Sequence, residues 1–543
     1  MVFVCLIPIK FNVLKRICFL ILTFSFICNI TFSQEKLRCK IIDITTKKPI
    51  VYATIVLKKN HRGTHADSNG LFEIPIGYKE TGVIRISSIG YKTKEVRLAN
   101  LKNNDLNIIY ISVANNVLKE VVIKTSRKKK RKLLAREIVK NAIDQILENY
   151  PTEAHSYAGY YRDYQQPVGD SYQKITKSTT PIKYLNVHEA IIESFDDGFD
   201  SDKLNGKKNQ SLLYKYKTNK DFKQDSTLTI PYDNKNKKYS ETVYITPLGG
   251  NELNILNLTN SIRNYDKMSF SYTNIFQKDF LQNHTFKVKK ITYSDKTPLY
   301  EISFFSISEK TSNEFYANGS IYISKQDFAI HKFNYNLFYQ FKEEPQYTVT
   351  IEYRQKKDKM YLNYITFNNY FEARNGNYFK IDKTIFNSKK NAFKISFNRQ
   401  IDLSSLEPFR RNFKIYYKNE KLKIIDVNPF DTDSRTVTAY IDKKSIAKID
   451  FEKEKDNPNY RSYFTFEVAN IKDFNGYKVN ERKSIKMNQY REFFVQEVFD
   501  NKTLPIEQNF IDKRLPLSES KITPLELEND YWMNTPLKVK KGN

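Results

Sequence analysis

The stretch LRCKIIDITTKKPIVYATIVLKKNHRGTHADSNGLFEIPIGYKETGVIRISSIGYKTKEVRL, residues 37–98, carries the most informative pattern in the chain. Turns separate its short apolar runs. The clearest turn is Asp67–Gly70, because Asn and Gly tolerate positive φ and an Asp side chain can bond the backbone two residues on. Phe72, Ile74 and Ile76 then alternate with other residues, which is typical of a strand with one buried and one solvated face. The stretch therefore predicts a small β-sandwich.

This stretch closely resembles the carboxypeptidase-regulatory-like domain, a transthyretin-like β-sandwich often found at the N-termini of Bacteroidetes envelope proteins, including TonB-dependent receptors. The matching residues are Asp43 with Pro49, Ile50 and Ala53, the turn Asp67-x-x-Gly70-x-Phe72, and Ile89-Gly90-Tyr91. Two positions depart from the family's pattern: Cys39 stands where Gly is usual, and Ala66 where Thr is usual. The resemblance implies a fold and an envelope location. It implies no reaction, because the domain accompanies peptidases without carrying their zinc ligands or nucleophile.

Residues 1–33 have the composition of a secretory signal peptide. Lys15 and Arg16 precede an apolar run at 17–30, which is shorter than the ~20 residues needed to span a bilayer. Small residues before Gln34 predict cleavage after Ser33, so we expect an exported protein. The alternatives are a retained membrane anchor and lipidation of Cys28, which the bulky residues before it disfavour.

Three of the four cysteines, Cys5, Cys18 and Cys28, lie in the predicted signal peptide. Cys39 is then alone, so no internal disulfide is possible after cleavage. We expect its side chain to be a small buried apolar group.

The chain is strongly basic, with 89 Lys and Arg against 61 Asp and Glu and a formal net charge of +28. The lysines occur in every segment, so the charge predicts no focused nucleic-acid site. A cationic exported surface would instead attract anionic lipid or polysaccharide at low salt.

The remaining pattern predicts a mainly β chain with one linking helix. Leu134 to Asn149 has an apolar stripe opposite a charged face, which favours packing against the sheet that follows. The basic tract 127–132 marks a boundary, across which we expect few contacts. The predicted domains are a signal peptide (1–33), a regulatory-like β-sandwich (34–124), a basic linker with the helix (125–155), an antiparallel β domain (156–390), an Ig-like β-sandwich (391–487) and an extended tail (488–543).

The second half of the central domain shows regular aromatic alternation, which predicts a long antiparallel meander or half-barrel. The alternating residues are Tyr300, Ile302 and Phe304, then Phe333, Tyr335, Leu337 and Tyr339, then Tyr347, Val349, Ile351 and Tyr353. The strands GSIYISKQDFAIHKFNYNL and TIEYRQKKDKMYLNYITF resemble strand pairs of lipoprotein-carrier half-barrels. Residues 391–487 resemble bacterial Ig-like repeats of the surface-layer type. In the tail, we expect Tyr531-Trp532 to anchor by packing.

No group of residues has the spacing of a known active site, so we predict no catalytic and no cofactor-binding residues and leave metal binding open. His61 and His65 lie four apart, but in a loop. His188-Glu189-x-x-x-Glu193 lacks the second His of a zinc protease. The loop Asp196–Asp202 could hold a hard cation through carboxylate oxygens, although it lacks the EF-hand register.

Arg162 and Asp163 lie in the tract SYAGYYRDY (156–164), which resembles a segment of Bacteroidetes envelope proteins with a regulatory-like domain. They could form a buried pair, although an ion pair at a strand edge is the more ordinary interpretation.

Two functional classes remain open. The first is an exported, non-catalytic envelope protein, periplasmic, outer-membrane-associated or at the cell surface, which binds a partner, glycan or lipid through its β modules. We expect the ligand or partner on the central sheet, whose aromatic rows suit sugar rings or apolar chains. The second is a secreted hydrolase. A pocket that brings several carboxylates and imidazoles together would favour the hydrolase; the relevant residues are His188, Glu189, Asp196, Asp200 and His331.

Overall fold

The computed structural model describes residues 36–59, 62–114, 133–177, 182–201, 209–225, 228, 252–267, 276–311, 313–374, 378–430, 432–447, 449, 460–481, 484–506, 508–512, 515–524, 531, 533 and 537. The predicted signal peptide and basic tract lie outside these residues. The protein is mainly β, with several antiparallel sheets and few helices, which confirms the predicted fold class.

The chain divides into two compact units. Unit 1 contains residues 1–165, 184–369 and 489–543, and unit 2 contains 166–183 and 370–488.

The N-terminal part of unit 1 is a two-layered sandwich with sheet orders β4-β1-β7 and β3-β2-β5-β6. Its strands are β1 (Lys36–Asp43), β2 (Thr54–Leu57), β3 (Gly63–His65), β4 (Leu71–Pro75), β5 (Val83–Ser87), β6 (Lys94–Arg97) and β7 (Leu106–Ile111). The predicted turn forms before β4: Asp67 Oδ1 accepts the N–H groups of Asn69 and Leu71 at 2.7 and 2.9 Å. Gly70 has φ +73°, the left-handed region that glycine occupies without strain. Cys39 is buried in the core, and burial raises the pKa of its thiol to about 12.

A ten-stranded sheet is the largest element of unit 1, with the strand order β10-β9-β8-β24-β16-β15-β14-β13-β12-β11. Its strands are β8 (His155–Pro167), β9 (Leu185–Asp196), β10 (Ser211–Thr218), β11 (His284–Ser294), β12 (Thr297–Ser306), β13 (Phe315–Ser324), β14 (Ile330–Tyr339), β15 (Tyr347–Lys356), β16 (Lys359–Arg374) and β24 (Ser484–Asp500). From β11 to β16 the strands form the predicted antiparallel meander.

The segment predicted as an extended tail from Asn488 begins instead inside β24, between β8 and β16 near the middle of the sheet. The pattern did not reveal this strand because both its faces are buried: Phe493 and Phe494 point to opposite sides, and both are buried. Further along, Tyr531 is buried and donates a hydrogen bond to Glu497, whereas Trp532 lies outside the described residues.

One face of the ten-stranded sheet, the helical face, is covered by short helices. Over the described residues of both units, the α-helices are α1 (Ala135–Asp144), α2 (Ile146–Asn149), α3 (Ser171–Thr176), α4 (Glu252–Thr259), α5 (Leu281–Asn283), α6 (Phe409–Asn412) and α7 (Lys443–Ile446). The central residues of the predicted apolar stripe of α1 and α2 are buried against this face, together with Ile255 and Leu256 of α4. Leu134 and Leu147, at the ends of the stripe, are exposed. The alternating aromatic residues of β12, β14 and β15 join the same core.

The opposite side, the outer face, is partly covered by the N-terminal sandwich. Tyr52 packs on Tyr364 with ring centroids 5.3 Å apart, and Asn363 Nδ2 donates to Thr54 Oγ1 at 2.8 Å. The backbone N–H of Gly90 donates to the carbonyl of Tyr293 at 2.7 Å. These contacts are more extensive than the few expected between the sandwich and the rest of the chain.

Unit 2 contains a four-stranded sheet, β17-β18-β22-β21, and a three-stranded sheet, β20-β19-β23, that share one core. Its strands are β17 (Ile381–Asn387), β18 (Ala392–Phe397), β19 (Phe413–Tyr417), β20 (Glu420–Leu422), β21 (Ile424–Phe430), β22 (Asp433–Ile441) and β23 (Phe464–Val468). It includes β17, which precedes the predicted start at Asn391, because β17 pairs along its length with β18.

In the described part of the chain, no helix combines the length and the apolar composition needed to cross a bilayer.

Candidate functional site

The residues singled out in the sequence are spread over different parts of the structure. His61 and Asp202 lie outside the described residues. His65 is buried where the sandwich meets the sheet, with ring centroids 5.3 Å from Tyr364 and 5.5 Å from Phe494. Burial lowers the pKa of His65 to about 3, so this imidazole is a neutral packing group.

The two β9 carboxylates that follow His188 are both buried on the outer face and both hydrogen-bonded. Glu189 accepts hydrogen bonds from Tyr160 Oη and Asn219 Nδ2, each at 2.9 Å. Glu193 accepts one from Lys502 Nζ at 2.6 Å. Carboxylates saturated in this way stabilise the fold and are poorly placed to act on a substrate.

The two histidines of the expected pocket lie far apart. His188 is beside Tyr216, whose hydroxyl is 2.8 Å from His188 Nδ1. His331 lies on β14, five strands from β9, which corresponds to ~24 Å across a sheet. Burial lowers the pKa of His331 to about 4.

The acidic loop begins with an ion pair. Asp196 accepts hydrogen bonds from Nε and Nη2 of Arg263, both at 2.8 Å, and from the N–H of Gly198 at 3.2 Å. Asp200, by contrast, is exposed. Among the described residues, no group of three or more His, Cys, Asp and Glu side chains is arranged to hold a metal ion.

Arg162 and Asp163 do not pair with each other, because successive residues of a strand point to opposite faces. Arg162 Nε donates to Glu492 Oε2 at 2.7 Å on the outer side, and both side chains are almost fully buried. Asp163 instead accepts hydrogen bonds from Tyr161 and Gln489. Each side chain therefore has a buried partner on β24, which is Glu492 for Arg162 and Gln489 for Asp163.

The aromatic rows that we expected to meet a ligand are buried beneath the helices, so that part of the prediction is wrong. Among the described residues, two of the cavities on this side are small, about 20 and 10 Å³, and Tyr157 and Asn260 line both. A space of this size holds about one water molecule. The apolar stripes of the helices and the aromatic rows of the sheet both need burial, and they pack against each other in one core.

The outer face carries a different pattern on β12 to β16, which we call the polar ladder. It consists of two cross-strand rows. Row A contains Ser303, Ser320, Asn334, Thr350 and Thr366, each opposite the next in the strand register, and row B contains Phe305, Asn318, Asn336, Thr348 and Asn368.

The ladder is uncharged. None of its side chains is ionisable, although charged residues make up 28% of the chain. Most are half-buried, and Phe305 is exposed at 53%. Strand spacing makes each row ~19 Å long across five strands and places the rows ~7 Å apart.

Hydrogen bonds along the rows hold the ladder side chains in place. Asn334 Nδ2 donates to Ser320 Oγ at 2.9 Å, and Asn336 Nδ2 donates to Asn318 Oδ1 at 3.1 Å. An Asn amide has two donors and an acceptor with two lone pairs, so each amide can also bond a ligand.

Aromatic and basic side chains flank the ladder. Tyr316 and Phe338 follow row B on the same face and stack at 4.8 Å with an interplanar angle of 6°. Lys287 of β11 is exposed and lies opposite Ser303, at the end of row A.

Sequence reasoning missed the ladder because Ser, Thr and Asn between aromatic residues look like an ordinary solvated strand face. Each strand contributes only two positions to the ladder. Only the register of five strands places them in line.

Comparison with known proteins identifies one domain. Residues 37–123 match the model of the CarboxypepD_reg-like domain family. The regulatory-like domain predicted from the sequence is thereby confirmed; the more specific likeness to Bacteroidetes proteins and TonB-dependent receptors stays a prediction. A search of curated proteins found no match.

Several solved structures overlap with part of the chain. A LolA superfamily protein from Nitrosomonas europaea is 10% identical, covers 44% of this chain and 86% of its own, and has a TM-score of 0.19. A putative outer membrane lipoprotein-sorting protein domain from Vibrio parahaemolyticus is 11% identical, with the same coverages and a TM-score of 0.20. The MucA/MucB complex from Pseudomonas aeruginosa is 7% identical, covers 58% of this chain and 96% of that chain, and has a TM-score of 0.15. TM-scores this low do not define a shared fold.

Proposed function

We propose that this protein is an exported, non-catalytic cell-envelope protein that binds a linear glycan along the polar ladder. The observation that carries the proposal is the alignment of uncharged hydroxyl and amide side chains over five strands, with exposed aromatic surface beside them.

The chemistry of the ladder suits sugars. Sugar hydroxyls both donate and accept hydrogen bonds, as Ser, Thr and Asn side chains do. The apolar C–H face of a pyranose packs on an aromatic ring, and Phe305 and the Tyr316–Phe338 stack present such rings. A row of ~19 Å matches an extended chain of several sugar units better than a single sugar.

Export and envelope location rest on residues 1–33 and on the match of the N-terminal domain. The hydrolase alternative gains no support from Glu189 or Asp196, because each already has close protein partners.

Affinity electrophoresis in gels containing soluble β-glucan, xylan, mannan or solubilised peptidoglycan tests the proposal. We expect retardation by at least one polymer. Removing the ladder amides with Asn334→Ala and Asn336→Ala should abolish that retardation, and Phe305→Ala should weaken it several-fold.

Two exposed residues elsewhere provide matched controls. Phe341→Ala removes a fully exposed phenylalanine in the loop after β14, and Asn428→Ala removes an exposed strand amide in unit 2. Both variants should be retarded like the unmodified protein. Retardation that survives the ladder substitutions would assign glycan binding to another surface, and no retardation by any of these polymers would overturn the proposal.

A further inference from the structure

A second surface, on the N-terminal sandwich, has a character unlike the ladder. One sandwich sheet contacts the ten-stranded sheet through Tyr52 and Thr54 near β2. The other, β4-β1-β7, turns its outer side away from that contact. This outer side of β1 and β7 is apolar at its centre.

Four side chains form the apolar centre. Tyr110 is exposed at 42%, Ile108 at 40% and Ile44 at 49%, and Ile42 is half-buried. They are contiguous because Ile42 lies opposite Tyr110 in the parallel register of β1 and β7, and the N–H of Ile44 donates to the carbonyl of Ile111 at 3.0 Å. Exposed isoleucines on adjacent strands are unusual unless something covers them.

Lysines flank this apolar centre. Lys47 Nζ lies 5.0 Å above the ring of Tyr110, and Lys94 Nζ donates to the Tyr110 carbonyl at 2.9 Å. Lys40 of β1 lies opposite Ile108 of β7. Lys48 follows Lys47 in the sequence, Lys92 precedes Lys94 by two residues, and both are exposed.

The nearby acids do not cancel these charges. Asp43 is buried, and its Oδ1 accepts the N–H groups of Thr45 and Thr46. Glu73 pairs with Lys36 at 3.2 Å. Asp105, at the start of β7, is the exposed acid at that end of the face.

We infer that this face docks on an anionic lipid bilayer surface. An apolar centre flanked by lysines matches the layering of a bilayer, since the isoleucines can enter the acyl boundary while the ammonium groups meet headgroup phosphates. Tyrosine suits the boundary because its ring is apolar and its hydroxyl polar. The inference does not depend on the glycan site, because it uses a different domain and different residues.

Co-sedimentation of the exported protein with vesicles tests this inference. We expect binding to phosphatidylcholine vesicles containing one quarter phosphatidylglycerol, little binding to pure phosphatidylcholine, and loss of binding at high salt, because salt screens the lysines. The pair Lys47→Glu and Lys94→Glu should lower the partition coefficient about tenfold or more. The pair Ile108→Ser and Tyr110→Ser should lower it several-fold without changing the charge.

The control changes the net charge equally but elsewhere. Lys421→Glu with Lys443→Glu substitutes two exposed lysines of unit 2, and this variant should bind like the unmodified protein. Circular dichroism serves to check that each variant is folded. Equal loss in the control, or full binding by the serine pair, would overturn the inference in favour of general cationic attraction. Binding of polyglutamate but not vesicles would assign the face to an acidic protein segment instead.

Discussion

At the residue scale, the least expected feature is the buried pair of Arg162 and Glu492. Removing one partner leaves a charge in the interior without compensation, which costs about 3–5 kcal/mol. We expect Arg162→Met to lower the free energy of unfolding by about that amount. Chemical denaturation followed by circular dichroism measures it.

A double variant and a surface pair test the reason for this loss. Arg162→Met with Glu492→Leu removes both charges, so it should be more stable than the single variant. Lys140→Ala breaks an exposed pair with Asp144 and should cost less than about 1 kcal/mol. A double variant less stable than the single one would contradict the argument.

Three buried histidines predict the response of the protein to acid. Burial lowers the pKa of His65 to about 3 and the pKa values of His284 and His331 to about 4. An unfolded histidine titrates near ~6.5, so below that pH the unfolded chain binds more protons than the folded chain. The free energy of unfolding should therefore be unaffected by these groups above about pH 6.5 and fall as the pH drops toward 4.

Denaturant titrations at several pH values measure this slope. His65→Phe keeps an aromatic ring between Tyr364 and Phe494 but cannot take up a proton, so the slope should become shallower. An unchanged slope would mean that His65 does not contribute to acid sensitivity.

At the element scale, β24 joins the two halves of the large sheet and contacts the sandwich. Phe494 of this strand packs on His65 at 5.5 Å and on Tyr160 at 6.0 Å. We expect Phe494→Ala to cost about 3–5 kcal/mol, because the surrounding rings cannot close the resulting cavity. Phe474→Ala in unit 2, where the ring is 78% exposed, is the control and should change stability little. A loss as small as that of the control would show that β24 tolerates a cavity at this contact.

At the scale of the whole molecule, the sandwich is tied to the large sheet more closely than the sequence suggested. Few contacts across the basic tract, as the sequence predicts, would leave the chain folded without residues up to Thr125. Deleting them would expose Tyr364 and Phe494, which are nearly fully buried in the intact protein. We therefore expect the shortened chain to unfold at a lower temperature and to aggregate.

Thermal unfolding and light scattering of the shortened chain measure this effect. A shortened chain carrying Tyr364→Ser and Phe494→Ser is the matched comparison, because it exposes less apolar surface and should aggregate less. A deletion as stable and monodisperse as the full chain would support the modular interpretation instead.

Local sequence pattern was sufficient to predict elements that have one buried and one solvated face. The Asp67–Gly70 turn, the stripe of α1 and the aromatic alternation of β12 to β15 each follow from periodicity and turn chemistry, and the structure contains all three. β24 was missed for the same reason: when both faces are buried, residues on the two sides no longer differ in polarity.

By itself, the sequence determined that the chain is mainly β, that residues 37–98 belong to a regulatory-like sandwich and that the apolar stripe of α1 packs on a sheet. Tertiary structure alone decided that the aromatic rows lie under helices, that β24 enters the sheet between β8 and β16, and that short polar side chains line up as the ladder. The physical reason is the separation along the chain of the residues involved. Turns and alternation depend on residues a few positions apart, whereas the ladder depends on the register of strands such as β12 and β16, which are some 60 residues apart along the chain.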